Sequence, residues 1–350
     1  MRAHAATRSA VVPETVPGAT GNPGPVTLRP TSVSATGAPT IVAEGMSVAF
    51  GDLVAVDRLD LEVAAGTVYG FLGPNGAGKS TTIRLLLGLL APTAGSASIA
   101  GHDVTSAGDA ARAACGVLLD DDGLYDRLSA VENLELFGRI AGLGRDERRA
   151  RSDTLLEHIG LADRAHERVA GWSLGMRKKL AVARAMLAEP PVVFLDEPTN
   201  GLDPLARRAL RDDIVGLARK QGTTVFVTTH DLDDAQRMCD EVGVMVEGRL
   251  IVSGSPDELR RRTGSSQLSL RGTDLEGAAD VLRGRPDVEA VSGDGNRIEV
   301  RLAEQGASGA AVVRAAVEAG AEIEEVIRTD DSLEDAFIEL IGGPTAEEDV

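Results

Sequence analysis

Cysteine is almost absent: Cys115 and Cys239 are the only two in 350 residues, far apart and with no CxxC spacing. That argues against a disulfide framework or a thiolate zinc site, and fits a chain kept in a reducing, cytosolic compartment. Aromatic residues are scarce at 3%, so the cores must be packed mainly from Leu, Val, Ile and Ala, which a hydrophobic content of 43% can supply. Positive charge is in deficit as well. A formal net charge of -18 argues against a broad Lys/Arg field, and so against a nucleic-acid partner, because phosphate backbones are gripped by cations. No apolar run reaches the roughly 18 residues that span a bilayer. Ile83 to Pro92 is too short, and Arg2 to Thr40 holds no continuous apolar core of the signal-peptide kind. If the chain works at a membrane, another polypeptide makes the crossing.

What is present divides the chain. Residues 1–40 are rich in Ala, Thr, Pro and Gly and offer little apolar area to offset the entropy of ordering, which predicts a disordered extension. From Ile41 short apolar runs begin, at Val42 to Phe50 and Leu59 to Val63, with a buried strand at Thr67 to Leu72 and a helix over Thr81 to Leu90. Gly116 to Leu119, Val192 to Leu195, Thr224 to Thr228 and Val242 to Val246 read as further strands, and residues 130–188 as a mainly helical insertion broken near Gly160 and Gly171. Strands alternating with helices predict the α/β class, a parallel-rich sheet covered by helices, over a core of residues 41–259. Gly254-Ser255-Pro256 and Arg260-Arg261-Arg262 mark a boundary, beyond which 265–342 reads as a compact α/β accessory domain and 343–350 as an acidic tail. Residues 271–350 carry 20 acidic and 7 basic residues, net -13 of the total -18. That surface is either a solvated face that maintains solubility or a docking face for a basic partner.

The chemistry is concentrated in three places. Gly73-Pro74-Asn75-Gly76-Ala77-Gly78-Lys79-Ser80 matches GxxxxGK[ST] in full, between a strand and a helix that Thr81 begins. The glycines let the loop bend tightly and aim backbone N–H groups at phosphate oxygens; Lys79 adds a point charge and Ser80 a hydroxyl for Mg²⁺. Val192 to Asp196 and Glu197 then place two carboxylates after an apolar strand, Asp196 suited to orient Mg²⁺ and Glu197 to polarise an attacking water. Third, Thr224 to Thr229 ends on His230, at the carboxyl end of the sheet where open α/β folds bind ligands.

With these residues in this order, the stretch from about Ile41 to Leu259 resembles the nucleotide-binding subunit of an ABC transporter. The fold this implies is a P-loop NTPase, an ABC nucleotide-binding domain with a helical subdomain over about 130–188, joined here to the small C-terminal α/β domain. Gly73 to Ser80 is similar to the family's Walker A segment, Val192 to Glu197 to its Walker B with the adjacent catalytic glutamate, Gly201-Leu202-Asp203 to the D-loop and His230 to the switch histidine. Phe50 sits where the adenine-stacking aromatic is expected. Trp172-Ser173-Leu174-Gly175-Met176 stands in place of LSGGQ, keeping Ser173 and Gly175, which the resemblance assigns to the γ-phosphate across a dimer interface. Met176-Arg177 and Ser332 to Phe337 resemble the antibiotic-export, ABC-2 branch, and Gly254 to Leu259 resembles a common exit from the family's core domain. Asp120 falls at the position of the Q-loop glutamine. It either keeps a contact to Mg²⁺ or its water, or belongs with Asp121 and Asp122 to a solvated acidic turn.

The resemblance implies ATP and Mg²⁺ as cofactors, a homodimer, and a separate multi-span permease that carries a small-molecule or drug-like cargo outward, with this chain held on the cytoplasmic face of the cell membrane. A soluble ABC ATPase of translation or DNA maintenance, or a regulatory ATP-binding module, stands as the alternative. The former is expected to show tandem motif sets or a long coiled-coil insertion, neither of which is present.

Overall fold

A computed structural model describes residues 39–119, 121–263, 267–303 and 308–329, together with Phe337. Of the extension expected over residues 1–40, only Pro39 and Thr40 are described, and they begin the first strand rather than belonging to a disordered segment. The rest of it, the acidic tail, and all but Phe337 of the helix expected over 332–340 lie outside the described residues.

Pro39–Phe50 and Leu53–Ala64 form a long antiparallel pair, which Ala94–Ile99 and His102–Asp103 extend on the Pro39–Phe50 side. Alternation decides its inner face: Leu59, Leu61 and Val63 are buried while Asp60 and Glu62 meet water. This departs from the expectation of a single parallel-rich sheet. The run Leu53-Val54-Ala55-Val56 breaks strict alternation and hides the start of the second strand, but the turn at Gly51-Asp52, with Gly51 at φ 61°, pairs Phe50 with Leu53 directly.

The central sheet has six strands in the order Arg249–Gly254, Glu241–Val246, Val68–Leu72, Thr224–Thr229, Val192–Asp196 and Cys115–Leu118. All neighbours are parallel except the first two. Helices on one face, and the antiparallel sheet with the helix that follows the glycine-rich loop on the other, leave Val68–Leu72, Val192–Asp196 and Thr224–Thr229 wholly buried, which is why Val192 to Leu195 and Val225 to Val227 are continuously apolar. The sparse aromatics are pooled here: Phe226 lies 5.6, 5.2 and 5.5 Å from the rings of Tyr69, Phe71 and Phe194. Each such pair contributes about 0.5–1.5 kcal/mol beyond its buried area. They pin together the three strands whose carboxyl ends bear the chemistry.

The helix after the glycine-rich loop is Lys79–Leu86, two residues earlier than the sequence suggested, because Gly78 at φ 108° turns the chain straight into it. The helical insertion resolves into Ala130–Ile140, Arg145–His158 and Leu174–Met186. Ser129 and Glu132 close a capping box at the start of the first. The third helix backs the strand Cys115–Leu118 so closely that a Cβ on Gly116 would overlap the Ala185 carbonyl oxygen. Gly116→Ala is therefore expected to destabilise the fold by about 1–3 kcal/mol, read as a lower urea midpoint at unchanged m-value. An unchanged midpoint would mean that the helix yields freely.

Beyond Arg249–Gly254 the helix Pro256–Thr263 leads into a βαββαβ unit: Gln267–Thr273, Leu275–Arg283, Val288–Asp294, Arg297–Leu302, Gly309–Glu318 and Glu322–Thr329. Its first strand lies between Arg297–Leu302 and Glu322–Thr329, and every pair is antiparallel. In Arg297–Leu302 the residues Ile298, Val300 and Leu302 enter a core of their own with Leu268, Leu275 and Val312, while Arg297, Glu299 and Arg301 face out. Phe337 rests against the apolar core shared by the helical insertion and the six-stranded sheet. No helix among the described residues is long and apolar enough to cross a membrane.

Candidate active site

The parallel strands end in a row, and the loops leaving them converge. Leu72 pairs with Thr229, Asp196 with Thr228, and Leu118 with Leu195, so Gly73, His230, Glu197 and Leu119 leave the sheet side by side. The loop Gly73 to Gly78 is shaped by close approach. A Cβ on Gly73 would overlap the Met245 carbonyl oxygen, and one on Gly78 would stand 2.5 Å from Ala55 O. Within the loop Ala77 N donates to Pro74 O at 3.2 Å, and Gly248 N donates to Ala77 O at 2.9 Å. Lys79, almost fully buried, donates from Nζ to Gly73 O at 2.7 Å and Pro74 O at 3.1 Å. No acidic residue occupies the first turn of Lys79–Leu86, so its N-terminal dipole is left to favour an anion.

Glu197 is the hub of the charged groups. Its backbone takes the left-handed conformation, φ 45°, a strain of about 1–3 kcal/mol for a residue with a Cβ. Its N–H holds it there by donating to Thr228 O at 3.2 Å and Thr228 Oγ1 at 3.0 Å. The carboxylate lies 3.4 Å from Lys79 Nζ through Oε1 and 3.2 Å from His230 Nδ1 through Oε2, which also accepts from Asn200 Nδ2 at 3.1 Å. Beside it Asp196 is buried. Its Oδ1 accepts from Thr228 Oγ1, while Oδ2 has no hydrogen-bond partner among the described residues. An orphaned buried carboxylate oxygen and the Ser80 hydroxyl form a hard-oxygen donor set that fits Mg²⁺.

A cavity of about 670 Å³ opens over these groups. Asn75, Gly76, Gly78, Lys79, Ser80, Thr81 and Glu197 line it, and so do Phe50, Leu53, Val54 and Ala55, with Glu247 and Gly248 from the turn after Glu241–Val246. Phe50 is 51% exposed, with Leu53 and Val54 also open, so the antiparallel sheet offers an apolar platform rather than one ring. The contributions of Leu53, Val54, Glu247 and Gly248 had no signature in the sequence, because only the packing of the antiparallel sheet and of the turn after Glu241–Val246 brings them to the cavity.

The structure does not bring Ser173 and Gly175 to this cavity. Ser173 caps the helix Leu174–Met186, its Oγ accepting from Met176 N at 3.3 Å. Leu174 lies against the D-loop, its Cδ2 3.2 Å from where a Cβ on Gly201 would stand, and Gly175 faces Ala206 and Leu202. Asp120 lies outside the described residues. The turn that follows it is tied to the same helix by two arginines that sequence patterns missed. Arg177 forks onto Asp122 at 2.7 and 3.1 Å and reaches Asp126 at 2.6 Å. Arg184 donates to Val117 O at 2.8 Å and Gly123 O at 3.2 Å, with its guanidinium 4.8 Å from the centre of the Phe137 ring. Burial works against ionisation of Asp122, but the Arg177 bonds and the Leu124 amide outweigh it and hold the carboxyl below its ordinary range.

Arg177→Met is expected to lower stability by about 1–3 kcal/mol at neutral pH. Because the folded carboxyl titrates below its unfolded value near 4, this contribution is whole above about pH 4 and is lost as pH falls through the lowered folded value. Urea melts of wild type and variant should therefore converge in acid; a constant gap across pH 3 to 7 would assign the loss to packing instead.

Comparisons with known proteins bear on this geometry. The ABC transporter family model matches residues 56–200, and that of the "ATP-binding protein DrrA1-3-like, C-terminal domain" matches residues 254–341. The daunorubicin resistance ATP-binding protein DrrA3 of Streptomyces coeruleorubidus is 41% identical over 304 residues, covering 86% of this chain and 96% of that protein. The chain belongs to the ABC transporter ATP-binding proteins. As an ABC ATPase it binds and hydrolyses ATP. The bacitracin transport ATP-binding protein BcrA of Bacillus licheniformis is 36% identical over 85% of this ABC ATPase and 95% of its own length. Among solved structures, an ATP binding subunit of an ABC transporter is 31% identical with a TM-score of 0.57, over 64% of this chain and 92% of that one. The cbiO1 protein of Clostridium perfringens, part of the cbiONQ complex, is 29% identical with a TM-score of 0.59, over 63% and 90%.

Proposed function

We propose that this ABC ATPase works as a homodimer beneath a separate multi-span permease and powers outward transport of a small, drug-like molecule. The observation that carries the reading is similarity along nearly the whole chain, C-terminal domain included, to a daunorubicin resistance protein and a bacitracin transport protein. The permease holds the chain at the cytoplasmic face of the membrane and supplies the cargo pocket.

In the cycle, adenine packs on the Phe50 platform. The backbone N–H groups of the loop Gly73 to Ser80, Pro74 excepted, and the Lys79 ammonium receive the β- and γ-phosphates, with Thr81 in the first turn of the helix behind them. Ser80 and Asp196 would hold Mg²⁺, with Asp120 assigned to the same set. The ion would supply positive charge to offset that of the phosphates. Glu197 polarises a water for in-line attack on the γ-phosphorus; the bond to the bridging oxygen breaks, and ADP and phosphate leave. His230, engaged with Glu197 through Nδ1, has its other ring nitrogen for a γ-phosphate oxygen.

Ser173 and Gly175 lie away from their own cavity, and this favours a second copy, head to tail, that presents them to the γ-phosphate. Co-purification with a multi-span protein, and ATP-dependent accumulation of daunorubicin or a related amphipathic cation in inside-out vesicles carrying both, is the expected result. ATPase activity with neither partner nor accumulation would redirect the reading to a regulatory or soluble ABC ATPase.

A further inference from the structure

Behind the Glu197–His230 pair lies a buried polar knot that the hydrolysis scheme above leaves unused. Asp234, in the helix Leu232–Met238, has no exposed surface at all. Its Oδ2 accepts from Thr199 Oγ1 at 2.6 Å and its Oδ1 from Arg211 Nη1 at 2.9 Å, and the same guanidinium nitrogen donates to Asp233 at 2.7 Å. Thr199 and Arg211 are themselves buried. A second tie runs parallel to this one, from Arg207 to Asp231, whose other oxygen caps the helix by accepting from Asp234 N at 3.1 Å.

The placement of these groups gives the knot its meaning. Thr199 stands two residues after Glu197, inside the turn that Asn200 N closes onto Glu197 O at 3.2 Å. Asp234 stands four residues after His230, in the first turn of the helix that Asp231 caps. One buried carboxylate thus joins the two loops that carry the pair, loops that leave neighbouring strands and touch each other through Glu197 Oε2 and His230 Nδ1. Burial of this kind is a poor source of stability, since an apolar set of equal volume often does as well. What fixed donors and acceptors add is direction: they hold the rotamers and backbone around them to one arrangement. Desolvation raises the Asp234 pKa and the Thr199 bond offsets part of that, so the carboxylate depends on keeping its donors.

We infer that Thr199, Asp234 and Arg211 are positioning residues for hydrolysis, holding the His230 loop and the Glu197 loop at the separation at which the two side chains act on the same water and phosphate. This rests on the roles proposed for Glu197 and His230. Thr199→Val keeps the shape and removes one hydroxyl. In the full-length chain its kcat is expected to fall about 10- to 100-fold, with KM for ATP within about twofold and the protein still folded at the assay temperature, its melting midpoint lowered because Asp234 Oδ2 loses its donor. Thr199→Ser, which restores the hydroxyl, should recover most of the rate. Because Thr199 acts through the pair, adding Thr199→Val to His230→Ala should cost little beyond His230→Ala alone.

A wild-type kcat in Thr199→Val would overturn the inference. So would losses that multiply independently in the double variant, or a rate that falls only in step with the folded fraction. Glu197→Gln, assayed alongside, separates the two levels. If it turns over normally, the reading of the site fails; if it is inactive while Thr199→Val is not, the positioning role alone fails.

Discussion

Glu197→Gln is expected to cut ATP turnover by at least about 100-fold while leaving ATP bound, because the substitution keeps the shape and removes only the charge and basicity. The amide still occupies the left-handed backbone position and can still accept from Asn200, so the hub survives as structure. It no longer offers a negative oxygen to Lys79 at 3.4 Å or to His230 at 3.2 Å, and it cannot take on proton density from a water. With hydrolysis blocked and phosphate binding intact, the proposed head-to-tail dimer should accumulate. Mass photometry or light scattering with ATP should then show a doubled mass that ADP does not produce. Full turnover in this variant would remove Glu197 from the chemistry.

Lys79→Ala should have the opposite phenotype, failing at binding. The Lys79 ammonium is nearly buried and bonded to Gly73 O and Pro74 O, two carbonyls that would otherwise face the phosphate site. Its loss leaves those carbonyls and Glu197 without their cation and takes away the charge that compensates the phosphates. We expect the affinity for ATP to fall about tenfold or more and hydrolysis to drop to background. Ligand-induced stabilisation offers a direct readout: at ATP 100 times the wild-type Kd the protein gains about 2.7 kcal/mol, and a tenfold loss of affinity cuts that to about 1.4 kcal/mol at the same concentration, a larger loss to less. An ATP-induced shift equal to wild type would show that the loop amides alone hold the nucleotide.

The parts of the site that could be read from the sequence are those whose chemistry is local. Gly73 to Ser80 must be contiguous because one loop has to wrap one phosphate chain, and Asp196-Glu197 and His230 follow apolar strands because strand ends are where such a sheet presents them. The α/β character of the C-terminal unit was legible too, because alternation and helical period are local patterns. The antiparallel sheet was not read as a separate layer, since Leu53 to Val56 obscures the alternation and Ala94–Ile99 offers only weakly apolar residues.

The long-range partners of the polar groups in and around the site were not legible at all. Thr228 beneath Asp196, Asp234 bonded to Thr199, and Arg177 forked onto Asp122 are separated in the chain by 32, 35 and 55 residues. No spacing rule links such residues.

The sequence by itself determined the nucleotide chemistry, the class of fold and the resemblance to ABC ATPases, because each follows from short segments whose backbone and side chains must act together. Only the tertiary structure decided how those segments meet. The strand order sets Thr224–Thr229 between Val68–Leu72 and Val192–Asp196, and so brings His230 against Glu197 and Glu197 against Lys79. The same packing keeps Ser173 and Gly175 out of the cavity, sets Leu174 and Gly175 against the D-loop, and binds the turn after Asp120 to the helix that Ser173 caps. Those relations depend on burial and on contacts between segments far apart in the chain, and they exist only once the sheet has closed around its core.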